Sequence, residues 1–184
     1  MHRKITFLVT IALLFILLGV GTAAALTWQN ETVDSGGYGE YSSIALNVAG
    51  EPRVSYYDRA HGDLRFAKNN YDGGGWRIET VDSAGDVGLY SSLALTSAGT
   101  PCISYYDYTN GNLKYAAYSG SAWTIQTVDS AGDVGLYTSL TLNDYGEPCI
   151  SYYDQTNGDL KYAVHAPSGW TIQTVDSAGD VGQY

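Results

Sequence analysis

The sequence predicts an all-β fold, a β-propeller of four-stranded antiparallel blades, with three complete blades and one extra leading strand. Three observations predict it. A four-residue word returns as Thr32-Val33-Asp34-Ser35, Thr80-Val81-Asp82-Ser83, Thr127-Val128-Asp129-Ser130 and Thr174-Val175-Asp176-Ser177, spaced by 48, 47 and 47 residues. That period is too long for a β-helix coil and close to that of propeller blades, whose small sheets cannot bury their faces without neighbours. Within each period, short alternating runs are punctuated by Gly, Pro and Asn-Gly turn signals. Finally, the 17 tyrosines and four tryptophans supply the large side chains that packed blades need.

The second repeat shows the elements most clearly. Its first strand is expected over Ser91 to Thr96, where Ser92 and Ala94 keep one side small enough for a crowded innermost strand. Gly99-Thr100-Pro101 then breaks the chain, with the proline at a strand entry, where its missing donor costs least. The second strand runs from Cys102 to Asp107 and the third from Asn112 to Tyr118, joined through Asn110-Gly111, a strong hairpin signal. Gly120 precedes the fourth, Trp123 to Asp129. The next repeat follows the same grammar with Gly146-Glu147-Pro148, Asn157-Gly158 and Gly169-Trp170. Blades are therefore expected at about 36–82, 83–129 and 130–176.

Residues 1–25 are a different material. A basic start at His2-Arg3-Lys4, an apolar run over 5–20 and the small residues Ala23-Ala24-Ala25 predict a cleaved signal peptide, with the repeat region over 26–184 outside the cytoplasm, secreted or at the cell surface. An uncleaved membrane anchor is the alternative. Without Arg3 and Lys4, seven basic residues face nineteen acidic ones, a formal charge of −12 in place of −10. This balance excludes a generic nucleic-acid binder, which needs a basic footprint. Cys102 and Cys149 stand one repeat apart at the same place in the unit, so no disulfide between them is expected.

Strand counting leaves the ring incomplete. Trp28 to Asp34 match only a fourth strand, three full units follow, and Ser177 to Tyr184 match the approach to a further first strand. Three blades fall short of the usual four to eight. A longer reading frame or closure by self-association is expected.

The runs SYYD, TNGDLKYA and GW-TIQTVDS within residues 151–177 resemble tandem repeats of large secreted or surface-displayed bacterial and archaeal proteins, broadly of the sialidase-like β-propeller kind. The resemblance covers the mature chain and implies the fold, since such repeats serve differing functions. The Asp-box turn of sialidases is matched poorly, by Asp72-Gly73-Gly74-Gly75-Trp76 alone, and no catalytic residue is carried over.

Antiparallel topology puts the second-to-third hairpins and the fourth-to-first connections on one rim, with thirteen of the nineteen acids. The opposite loops hold Glu51, Asp72, Asp144 and Glu147. On the acidic rim Asp107, Asp154 and Asp159 in the hairpins, with Asp86 and Asp133 in the connections, form a candidate calcium set, because Ca²⁺ takes clustered oxygen ligands at glycine-rich turns. Turn formation by the same Asp and Asn side chains is the competing explanation.

Enzyme signals are poor. The arginines of the repeat region, Arg53, Arg59, Arg65 and Arg77, all fall in the first repeat, His61 and His165 occupy different places in their units, and no HExxH or GxSxG occurs. The sequence therefore predicts a non-enzymatic extracellular binding module, with carbohydrate or a surface protein as partner and no certain cofactor. A fragment of a secreted glycoside-processing enzyme, or a structural spacer, are the alternatives.

Overall fold

The computed structural model describes residues 30–36 and 39–183. The chain divides into two compact units, residues 1–32 and 33–184. Of the first, residues 30–32 are described and form neither helix nor strand. The expected signal peptide lies outside the described residues.

The second unit is all β and propeller-like. Its strands are β1 (Gly39–Leu46), β2 (Pro52–Asp58), β3 (Asp63–Asn69), β4 (Trp76–Asp82), β5 (Val87–Leu95), β6 (Pro101–Asp107), β7 (Asn112–Tyr118), β8 (Trp123–Asp129), β9 (Val134–Leu142), β10 (Pro148–Asp154), β11 (Asp159–Ala166) and β12 (Gly169–Asp176). They form three antiparallel sheets of four, each in sequence order. The described part of the expected leading strand, residues 30–34, is not a strand. A strand needs a hydrogen-bonded neighbour, and each sheet is already complete with its own four. Asp34 nonetheless takes the part of a fourth-strand end by accepting the Tyr56 hydroxyl at 2.6 Å.

The first strand of the second blade begins at Val87, four residues earlier than alternation indicates. Gly88 and Tyr90 explain the difference, because both hold positive φ, 108° and 55°, and the β5–β6 register shifts around them. Tyr41 and Tyr137 repeat the left-handed conformation at φ 50° and 52°. Three bulky residues in a region they rarely adopt are over-determined by packing: the Tyr41, Tyr90 and Tyr137 rings pack in a row, centroids 4.5 and 4.6 Å apart and planes tilted by 49° and 54°. Gly88 is obligatory for a second reason, since an added Cβ would lie 2.8 Å from the Leu64 Cα.

Two hydrophobic cores hold blade to blade. Leu64, Phe66 and Val81 of the first blade meet Val87, Leu93, Ile103, Tyr105 and Ala116 of the second. Leu113, Tyr115 and Val128 of the second meet Val134, Leu140, Ile150, Tyr152 and Ala163 of the third. Each fully buried aliphatic side chain contributes roughly 1.5–3 kcal/mol. The dependence on a neighbour is visible in equivalent residues: Val81 and Val128 are 7% exposed between blades, whereas Val175 on an outer face is 61% exposed. Small residues on the first strands let these strands approach, as expected, and they also bond: Ser43 and Ser92 hydroxyls accept the backbone N–H of Leu93 and Leu140, both at 3.0 Å.

Candidate functional site

The acidic rim forms as the topology requires. Tyr108 N donates to Asp86 O at 2.9 Å and Gln155 N to Asp133 O at 2.9 Å, so each connection lies against the next blade's hairpin. Four of the five side chains of the candidate calcium set, however, bond within the fold. Asp107, 1% exposed, accepts from Asn110 N at 3.0 Å and Asn110 Nδ2 at 2.9 Å, with Lys114 Nζ 3.5 Å away. Asp154 does the same with Asn157 at 3.1 and 2.9 Å and Lys161 at 3.5 Å. Asp86 and Asp133 accept the Tyr57 and Tyr106 hydroxyls of the preceding blade at 2.7 and 2.6 Å. Asp159 stands opposite Asp154 in the β10–β11 register. Among the described residues no group of three or more His, Cys, Asp or Glu is arranged to hold a metal ion.

Deeper in the same rim, partly buried Lys114 joins Asp82 and Asp107 at 3.0 and 3.5 Å, and buried Lys161 joins Asp129 and Asp154 at 2.7 and 3.5 Å. Burial disfavours ionisation of Asp82 and Asp129, but bonds from Tyr105, Ala84 and Lys114 at the one, and from Lys161, Tyr152 and Ala131 at the other, outweigh it and hold both carboxyls below their usual range. Burial and the same carboxylates push the Tyr105 and Tyr152 phenols up. These groups clasp blade to blade and leave little for a ligand.

The opposite face carries a groove. A cavity of about 340 Å³ opens between the first and second blades, lined by the β2 start (Arg53), the β3 end (Phe66, Lys68, Asn70), the β4 start (Arg77, Glu79) and two loops of the next blade (Gly99 to Pro101, Tyr118 and Gly120). Its aromatic side is Tyr118, whose ring centroid lies 5.3 Å from that of Trp123, with Phe66, 2% exposed and also 5.3 Å from Trp123, in the core beneath. Arg53 is pinned: Nη1 donates to Pro52 O and Asn69 O at 3.0 and 2.9 Å, Nη2 to Glu51 and Asn70 Oδ1 at 3.2 and 3.0 Å. Arg77 Nη2 donates to Asp72 at 2.6 Å. Lys68 Nζ sits 3.9 Å from Glu79, too far for a hydrogen bond, and 5.9 Å from the Tyr118 ring centroid.

The second blade-to-blade junction differs at these positions. By register, Arg53, Lys68 and Arg77 correspond to Cys102, Ala117 and Thr124, and Glu79 to Gln126. There Trp170 Nε1 donates to Gln126 at 2.8 Å. The equivalent Trp123 Nε1, whose counterpart acceptor is Glu79, is buried without a hydrogen-bond partner. The sequence did flag the concentration of arginines in the first repeat; what it missed is that Arg53 and Arg77 meet Lys68 around a cavity. The detectable signal is where the repeats differ.

No protein-family model matches this chain, and no curated protein matches it in sequence. Solved structures do match in fold. A lectin from Aleuria aurantia in complex with Fucalpha1-6GlcNAc aligns with TM-score 0.58 and 15% identity over 83% of this chain and 51% of its own. The SapL1 lectin in complex with alpha methyl fucoside aligns with TM-score 0.54 and 21% identity over 74% of this chain and 47% of its own. A polysaccharide lyase, ulvan lyase, aligns with TM-score 0.52 and 12% identity over 80% and 45%. The chain thus spans about half the length of each. At these identities the likeness is one of fold.

Proposed function

We propose that the chain is a non-enzymatic carbohydrate-binding module, displayed outside the cytoplasm, whose saccharide site is the groove between the first and second blades. The observation that carries this is the composition of that groove: the Tyr118 ring beside Lys68, Arg77 and Glu79 in one concavity. Sugars present apolar C–H faces to aromatic rings and hydroxyls to charged donors and acceptors, and a concave site lets both act at once. The fold supports the reading, because the same architecture binds fucosides in the two lectins.

Hydrolysis would ask for more. A glycosidase needs two carboxyl groups flanking the scissile bond, and Glu79 is the one carboxylate among the described lining residues. Binding without turnover is the activity this groove supports.

Titration of the full chain against a panel of oligosaccharides by calorimetry tests the reading. Tyr118→Ala is expected to lower affinity about fivefold, the size of one aromatic contact. Tyr108→Ala, an exposed tyrosine of the acidic rim, leaves it unchanged. Binding lost with Tyr108 and kept without Tyr118 would move the site to the other face, and capture of surface proteins without saccharides would replace the ligand class.

A further inference from the structure

We propose that the groove between the first and second blades selects saccharides bearing an anionic group, a carboxylate or a sulfate ester, over neutral ones. The inference rests on the carbohydrate reading and adds the ligand's charge. It begins from a contrast between two junctions built on one plan. The second and third blades meet through Cys102, Ala117 and Thr124, where the first and second present Arg53, Lys68 and Arg77. Backbone geometry is shared, so the three cations are a property of this groove and not of the fold.

Their roles differ. All four Nη hydrogens of Arg53 are committed to Pro52, Asn69, Asn70 and Glu51, so this guanidinium shapes the groove without reaching for a ligand. Arg77 spends one Nη on Asp72, and its side chain is 53% exposed; a guanidinium has five donors in a fork that matches carboxylate and sulfate oxygens. Lys68, 32% exposed, has no carboxylate within hydrogen-bond range, its nearest being Glu79 at 3.9 Å. An anion entering between them completes Lys68 and replaces no strong bond. Register makes Lys68 and Arg77 directly opposite across β3 and β4, so both can face one ligand group.

The electrostatic setting adds to this. In a chain of formal charge −10, the acids crowd the rim of the hairpins and connections, while this groove opens on the opposite face. A polyanionic glycan approaching the acidic rim is repelled, whereas in the groove Glu51, Glu79 and Asp72 balance Arg53, Lys68 and Arg77 in number, and the exposed donors of Lys68 and Arg77, not a net positive charge, favour landing there. Glu79, beside Lys68, is suited to accept hydroxyls of the same sugar, which restricts the anion to the Lys68 and Arg77 side.

Calorimetric titration of the full chain with three oligosaccharides of equal length separates the outcomes: one neutral, one of uronic acids, one sulfated. Either acidic ligand is expected to bind about tenfold or more tightly than the neutral one, the size of a charge-assisted bond, and the two arms tell carboxylate from sulfate. The preference should shrink in about 0.5 M salt, where screening is short-ranged. Lys68→Met and Arg77→Met should each remove most of it with the melting temperature unchanged, and Lys68→Arg should retain it. Arg59→Met, on the acidic rim and 67% exposed, should change nothing. Equal affinity for neutral and acidic ligands, with both methionine variants silent, would overturn the charge selectivity and leave the carbohydrate reading standing. Binding of no saccharide at all would overturn both.

Discussion

The Tyr105 hydroxyl, from the second blade, donates to the Asp82 carboxylate at the end of the first blade's last strand, 2.7 Å away. Tyr152 makes the same bond to Asp129 at 2.6 Å, and Tyr56 makes it to Asp34 at 2.6 Å. The recurring Asp of the Thr-Val-Asp-Ser word is thus a joint between blades, received by the first tyrosine of the Ser-Tyr-Tyr-Asp word. Lys114 and Lys161 complete the joint from the next blade's third strand.

Removing one phenol should therefore weaken the stack. Tyr105→Phe keeps the ring and deletes the donor, at an expected cost of about 1–3 kcal/mol for a buried bond to a charged group. Urea unfolding measures it. Tyr145→Phe, 89% exposed, is the matched control; equal stability of the two variants would deny the joint its role.

Acid should loosen the same joints. Asp82 and Asp129 are held below the usual carboxylate range in the folded chain. A lowered folded pKa contributes stability above the unfolded value, and that contribution is lost as pH falls through the folded one. Lys161 is raised, because the Asp129 and Asp154 carboxylates outweigh its burial, and its contribution disappears only as pH rises past the lysine range. The urea midpoint should thus hold near neutrality and fall below about pH 5, more shallowly in Asp129→Asn. A midpoint unchanged down to about pH 3 would contradict this.

Gly135 gives a steric test. It holds φ 107°, and an added Cβ would meet the Leu113 Cα at 2.7 Å and Cβ at 2.9 Å. Gly135→Ala should cost about 3 kcal/mol or more, combining strain with displacement of a core leucine. Gly146→Ala, at φ 77° with nothing within 4 Å, should cost only the backbone part, about 1 kcal/mol. Similar losses by urea unfolding would remove the close packing of the connection on the preceding strand.

Both cysteines are free thiols, Cys102 buried and Cys149 partly so. Burial pushes the Cys102 thiol up, a shift that its Tyr115 bond reduces. Labelling of the denatured, unreduced protein should find two thiols, and in the native protein Cys149 should react first. A disulfide released by reductant would contradict the equivalence of their positions.

Strands β6, β7 and β8 were legible in the sequence because their ends carry strong local signals: Pro101 at an entry, Asn110-Gly111 at a hairpin, Gly120 before Trp123. The start of β5 was not, since a bulge with left-handed Gly88 and Tyr90 breaks the alternation that marks a strand. The acidic rim was legible from topology, but whether Asp86 and Asp133 are open or already bonded depends on Tyr57 and Tyr106, 29 and 27 residues away. The groove was hidden for the opposite reason. Recurring residues build the scaffold, and Lys68, Arg77 and Tyr118 stand where the repeats depart from one another.

The most direct test of the groove as the binding face is the amide spectrum of the full chain titrated with an acidic oligosaccharide. Shifts are expected at residues 68–70, 77–79, 99–101 and 118–120, which line the groove from both blades, with little change at the hairpins that hold Asp107 and Asp154. Shifts confined to those hairpins, or equal shifts at the junction of the second and third blades, would contradict it.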